Sequence, residues 1–128
     1  MYIRREGHRL RTRVYEGAGE VAELLERCSD FHNGRVLGVS LTGGGTAALT
    51  LCTSDGQEYR FLFEGVESFY VDYDSRFSTL FAAVLRWESG GTEFECEDAG
   101  IVLRSRAIRA ERRLREYEPD EEGEEYNG

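Results

Sequence analysis

From Arg35 to Gly65 the chain reads RVLGVSLT (35–42), GGG (43–45), TAALTLC (46–52), TSDGQ (53–57) and EYRFLFEG (58–65). The apolar period is two throughout. Leu37, Val39 and Leu41 alternate with Gly38 and Ser40, Ala47, Leu49 and Leu51 with Ala48 and Thr50, and Tyr59, Phe61 and Phe63 with Arg60 and Leu62. Alternation of this kind puts one face of a strand on a core and the other in water. Gly43-Gly44-Gly45 and Ser54-Asp55-Gly56 supply the turns, so the stretch predicts a three-stranded antiparallel meander. The glycine triplet does not read as a phosphate loop, which needs a following helix and usually a lysine; all 16 basic residues of this chain are arginines.

Upstream, Val21, Leu24, Leu25 and Cys28 recur at helical spacing opposite Glu20, Glu23, Glu26 and Arg27, which predicts an amphipathic helix from Glu20 to Cys28 after a break at Gly17 and Gly19. Before it, Leu10, Thr12 and Val14 alternate with arginines as a short strand or extended arm. Ser29 to Gly34 ends the helix, with Asn33-Gly34 a left-handed turn. Downstream, Phe69, Val71 and Tyr73 could line a fourth strand with Tyr70 and Asp72 outward. The apolar run Leu80–Trp87, the turn at Ser89-Gly90-Gly91-Thr92, and Phe94 and Cys96 among acids favour a hairpin; Ile101–Leu103 reads as a last strand. From Ser105 the pattern is helical, with Ile108, Arg112 and Arg115 on one face and Ala107, Ala110, Leu114 and Tyr117 on another. The expected fold is α+β: an N-terminal helix, an antiparallel sheet of about six strands, and a C-terminal helix stopped by Pro119. One domain spans residues 1–116 with an arginine-rich N-terminal arm, and an acidic, disordered tail covers 117–128.

The chain has 128 residues and a net charge of −9, a single-domain length that needs no disulfide to fold. Charge is segregated. Residues 1–15 carry five arginines against Glu6, and the stretch 101–116 carries six against Glu111 and Glu116. The body from Glu16 to Gly100 carries five against sixteen acids, and the tail carries six acids alone. An acidic chain is repelled by nucleic acid and by anionic lipid, so direct binding to either is disfavoured. No apolar run is long enough to span a membrane, and the charged first ten residues do not make a signal peptide. The expected location is the cytoplasm. Cys28, Cys52 and Cys96 are an odd number, lack zinc-site spacing, and sit in apolar patterns, which fits buried free thiols.

Glu93, Glu95 and Glu97 lie on one face of a strand whose other face is Phe94 and Cys96, with Asp98 following. Such a row can be a solvated sheet face, a divalent-ion site, or a surface that occupies a cationic groove. Asp30, His32 and Asn33 suggest a general base, but no nucleophile or oxyanion site accompanies them. A cap and turn that touches a partner explains them as well. The arginine blocks lack a recognised nucleic-acid motif and fit carboxylates better.

The order of helix Glu20–Cys28, Asp30-Phe31-His32-Asn33-Gly34-Arg35-Val36, and hairpinned strands ending at Tyr59-Arg60-Phe61-Leu62-Phe63-Glu64-Gly65-Val66 resembles small bacterial immunity-type proteins of the polymorphic-toxin systems. In these a phenylalanine- or leucine-histidine-aspartate turn leads to a meander closed by a phenylalanine-rich strand and a glycine-valine pair. The resemblance spans about residues 20–104 and implies a non-enzymatic protein that neutralises a toxin. No catalytic, metal or cofactor residues and no cofactor are then expected. The partner would be a basic protein, met by Glu93, Glu95, Glu97, Asp98, Tyr70, Tyr73 and His32. Three alternatives remain: a phage-encoded inhibitor of a bacterial defence nuclease, a metal-dependent hydrolase on Glu93, Glu95, Asp98 and His32, and a self-assembling structural subunit. A homo-oligomer also stays open.

Overall fold

The computed structural model describes residues 10–72 and 79–115, with side chains described for 12–72 and 79–112. The expectations for the start of the arginine-rich arm, for Tyr73 and for the acidic tail lie outside these residues. The elements run β1 (Leu10–Glu16), α1 (Gly17–Arg27), a single turn at Ser29–Phe31, β2 (Arg35–Thr42), β3 (Thr46–Cys52), β4 (Glu58–Val71), β5 (Ala82–Glu88), β6 (Gly91–Glu97) and β7 (Ile101–Arg115).

All seven strands join one antiparallel sheet in the order β2-β3-β4-β7-β6-β5. Its spine is the long ribbon of β4 and β7. The other edge of β7 is shared end to end. Its first half, Ile101–Ser105, pairs with β6, and its second half, Arg109–Arg115, pairs with β1. The two outermost strands approach each other at one end. Leu80 N–H donates to the Gly34 carbonyl and Asn33 N–H to the Leu80 carbonyl, both at 2.9 Å, and Arg35 bridges Thr79.

The predicted meander is present as β2-β3-β4, with Ala47, Leu49, Leu51, Tyr59, Phe61 and Phe63 all buried. The β5–β6 hairpin is present too. α1 begins three residues earlier than its apolar pattern, at Gly17 rather than after it. Glu20 Oε1 accepts the Glu16 N–H at 2.7 Å and so satisfies one of the donors every helix start leaves unpaired. Val21, Leu24 and Leu25 are its buried stripe, laid against β1, β5 and β7.

The α+β expectation is overturned. Among the described residues there is no C-terminal helix: Ser105 to Arg115 continues β7. α1 is, among the described residues, the single helix longer than one turn, it follows a strand, and the sheet has seven strands rather than about six. Arginine, alanine, glutamate and leucine favour a helix in isolation by a few tenths of a kcal/mol, about 0–0.7 per residue. Here neighbouring strands on both sides, β4 and β1, take the backbone hydrogen bonds, and Ile108, Ala110 and Arg112 turn to the core at period two. The period slips once. Ile101, Leu103 and Ser105 point inward, Arg106 and Ala107 are both exposed, and inward pointing resumes at Ile108. At the slip the buried Ser105 hydroxyl donates to the Ala107 carbonyl at 3.1 Å.

A second correction concerns β4. Gly65 reads as a stop in the sequence, yet β4 runs through it to Val71, and the expected third and fourth strands are one. Gly65 has φ +65° and sits under the Arg106 side chain, where a Cβ would come within 2.9 Å of it. The register then shifts between Val66 and Ser68, a bulge that bends the ribbon. A similar shift between Val36 and Gly38 turns Leu37 outward, 47% exposed, against the alternation that grouped it with Val39.

The core is one cluster between the inner face of the sheet and α1. Phe31 is its keystone, fully buried and edge-on to Tyr59 and Phe61 at 5.5 and 5.7 Å; Phe94 packs with Phe61 and Phe63 at 5.0 and 5.7 Å. Such aromatic pairs add about 0.5–1.5 kcal/mol each beyond the area they bury. They offset an unusual backbone. Ser29, Asp30 and Phe31 all lie in the left-handed region, at φ +54°, +56° and +59°, which costs L-residues about 1–2 kcal/mol apiece.

Candidate functional site

Since α1 and the Ser29–Phe31 turn both pack on the inner side, no described element covers the outer face of the sheet. Register places the sequence-predicted residues on that face. One row across β4, β7, β6 and β5 is Tyr70, Val102, Glu95 and Val84; the next is Ser68, Arg104, Glu93 and Arg86. Glu97 extends the face opposite Ala82. Neighbouring strands lie about 4.7–4.9 Å apart, so Tyr70 and Glu95 are about 10 Å from each other. Tyr70 is 59% exposed. Three separated stretches of sequence thus meet in one patch.

The acids are not a bare row. Arg104 reaches Glu93 at 3.7 Å and Arg86 reaches Glu95 at 3.4 Å. All four side chains are well solvated, so each pair contributes no more than about 0–1 kcal/mol to folding. The surface is an aromatic and two valines flanked by interleaved charges of both signs. Arginine and tyrosine are the residue types most enriched where protein interfaces gain their energy. The arginine block that holds Arg104 is expected from sequence to meet carboxylates, and Arg104 meets Glu93; Arg86 and Val102 carry no such signal, because only strand pairing brings them beside Glu95 and Tyr70.

Asp98 leaves this row. It has φ +71° in the turn between β6 and β7, a position where aspartate is favoured for the turn itself. Beside the patch, the β5–β6 hairpin frames a cleft of about 560 Å³ lined by Trp87, Arg86, Glu93, Arg104 and Glu67 among others. Trp87 is half exposed there. In the sequence it reads as the end of an apolar run, and its place beside Glu88 and the hairpin turn is what marks it as a surface residue.

His32 belongs to another site. It lines a second cleft, of about 490 Å³, with Arg27, Cys28, Thr53, Asp55 and Tyr59, and none of Glu93, Glu95, Glu97 or Asp98 reaches it. Burial pushes the Cys28 thiol above its ordinary range, opposed by a hydrogen bond from Tyr59 and by the charge of Arg112. The Arg112 guanidinium, only 8% exposed as a residue, lies over the Tyr59 ring at 5.7 Å, a cation–π contact. Asp55 is engaged in the β3–β4 turn through the Thr53 hydroxyl. Cys28, Cys52 and Cys96 are all free thiols, the first partly and the others fully buried. Among the described residues, no three His, Cys, Asp or Glu side chains are grouped to hold a metal ion. The set Glu93, Glu95, Asp98 and His32 is therefore not assembled. Among the same residues no helix is long and apolar enough to cross a membrane.

Compared with protein-family models, curated proteins and solved structures, the chain gives no match.

Proposed function

We propose that this chain is a non-enzymatic binding protein that neutralises a basic protein effector in the cytoplasm, as the resemblance to immunity-type proteins implies. One observation supports the reading most. Tyr70, Glu93, Glu95 and Glu97, drawn from two distant strands, share an outer sheet face that no described element covers. The tyrosine would pack into the partner while Glu93, Glu95 and Glu97 exchange Arg86 and Arg104 for the partner's cations, so that charge guides the encounter and packing holds it.

The test is capture by the tagged full chain from a host that carries its neighbouring genes, at low and moderate salt. A stoichiometric basic protein is expected. It should be lost as salt rises, and lost from both the Tyr70→Ala variant and the Glu93→Gln, Glu95→Gln, Glu97→Gln triple variant. Retention by the triple variant would overturn the proposed face. The surface ion pairs contribute little to folding, so these variants should melt close to the parent and the loss can be read as binding.

A further inference from the structure

We infer that the free edge of β2 is a self-pairing surface, on which a second copy of this chain adds its own β2 antiparallel and joins two sheets into one. Each strand that ends a sheet leaves a row of unpaired N–H and C=O groups, and soluble proteins guard such rows with charge, proline or a bulge. In this chain β5 carries Arg86 and Glu88, and β1 carries Arg13 and Glu16. β2 has Arg35 alone, at the end of the strand where the backbone already bridges Thr79. Beyond it, among the described residues, nothing pairs with the free edge of β2.

The absence of guards is part of a larger gap. From Phe31 to Ser54 the sequence holds no acid and Arg35 is its one arginine, in a chain that is 32% charged. Two copies at −9 each repel one another over most of their surfaces. The β2–β3 hairpin is the region where they can approach without opposing like charges. Leu37 and Leu41 are exposed there, at 47% and 53%. The bulge at Leu37 is confined to the end that the Leu80 segment already holds, and Gly38 to Thr42 keeps an unbroken register.

An antiparallel edge is its own complement about a two-fold axis. With that axis at Ser40, the middle of Gly38–Thr42, Leu41 of one copy stands opposite Val39 of the other, twice, and Gly38 opposite Thr42. No charge meets its like. The inference does not depend on the proposed function, which uses the outer face of the other end of the sheet.

The full chain should sediment at twice 14.6 kDa as concentration rises. Added salt should strengthen the association by screening the net charge, the opposite of the capture experiment above. Leu41→Lys, which sets two charges beside the axis, and Leu41→Pro, which removes a donor from the free edge, should both return the monomer mass. Amide hydrogen exchange of the parent reads the same surface without any variant: the Val39 and Leu41 amides, which face the free edge, should exchange more slowly in concentrated than in dilute solution. A parent that stays monomeric at all concentrations overturns the inference. So does a dimer that both variants leave intact, or one that salt dissolves, which would place the contact between arginine segments and the acidic body.

Discussion

The Nδ1 atom of His32 lies 2.8 Å from the carbonyl oxygen of Phe81, and the two rings meet edge to face at 5.5 Å. A carbonyl can only accept, so Nδ1 carries the proton and the neutral ring keeps Nε2 as a bare acceptor. The contact ties the left-handed turn after α1 to the lead-in of β5, beside the hydrogen bonds of Gly34 and Leu80 that draw the ends of the sheet together. Nitrogen-detected spectra of the neutral protein should show the Nδ1–H tautomer at His32. Replacing His32 by Ala removes one hydrogen bond and a ring contact and should cost about 0.5–1.5 kcal/mol in urea unfolding. No change in unfolding free energy would mean the tie is not formed in solution.

Among the described glycines, Gly34 makes the tightest approach to other backbone. A Cβ there would stand 2.1 Å from the Cys52 carbonyl oxygen, and both atoms belong to backbone held at the β2–β3 end of the sheet. Gly34→Ala should therefore be among the most damaging single substitutions, about 4 kcal/mol or more, enough to unfold a marginal domain. Gly43 in the first turn faces open space, so Gly43→Ala should change stability by less than about 1 kcal/mol. Thermal melts of the two variants side by side check the contrast.

Cys96 is 1% exposed, and burial, with the charge of Glu95, pushes its thiol up to about 12 from 9.0. The unfolded chain loses this proton near pH 9 while the folded chain keeps it. Stability from Cys96 is thus intact below pH 9 and declines as pH rises from there toward 12. A Cys96→Ala variant, whatever its loss from the vacated volume, should show a shallower fall of unfolding free energy between pH 9 and 10.5 than the parent. Alkylation of the native protein at pH 8 should reach the partly buried Cys28 before Cys52 or Cys96; equal labelling of all three would contradict the packing.

What the sequence made legible follows from where side-chain period and tertiary environment agree. Val21, Leu24 and Leu25 face the core as their spacing requires, and so do Phe61, Phe63, Phe94 and Cys96. Disagreement arises at three local interruptions, Leu37, Gly65 and Arg106-Ala107, where a bulge or phase slip resets the alternation, and at Leu41, which the edge position of β2 leaves exposed. Each looks like an end or a change of structure to a reader of short windows. For the candidate patch, period two identified which side of β6 carries Glu93, Glu95 and Glu97. It could not supply Arg86 and Arg104, because their positions beside those acids are a matter of register between strands, which a single chain does not display.

The same phase slip gives the sharpest test of β7. On a helix Ala107 and Ala110 would share a face, being three residues apart. In the strand they lie on opposite sides of the sheet: Ala110 is fully buried against Phe61 and Tyr15, which flank it by register, whereas Ala107 is exposed opposite Glu64. Placing a carboxylate at 110 buries an unpaired charge, which costs several kcal/mol even after relaxation, about 3–5 by the penalty for broken buried pairs. Placing one at 107 leaves it in water, beside the acid of Glu64 but also beside Arg106. Ala110→Glu should therefore fail to fold or melt far below the parent, and Ala107→Glu should lie within about 1 kcal/mol of it. Equal effects from the two substitutions, in either direction, would be the behaviour of a helix and would remove β7 from the sheet.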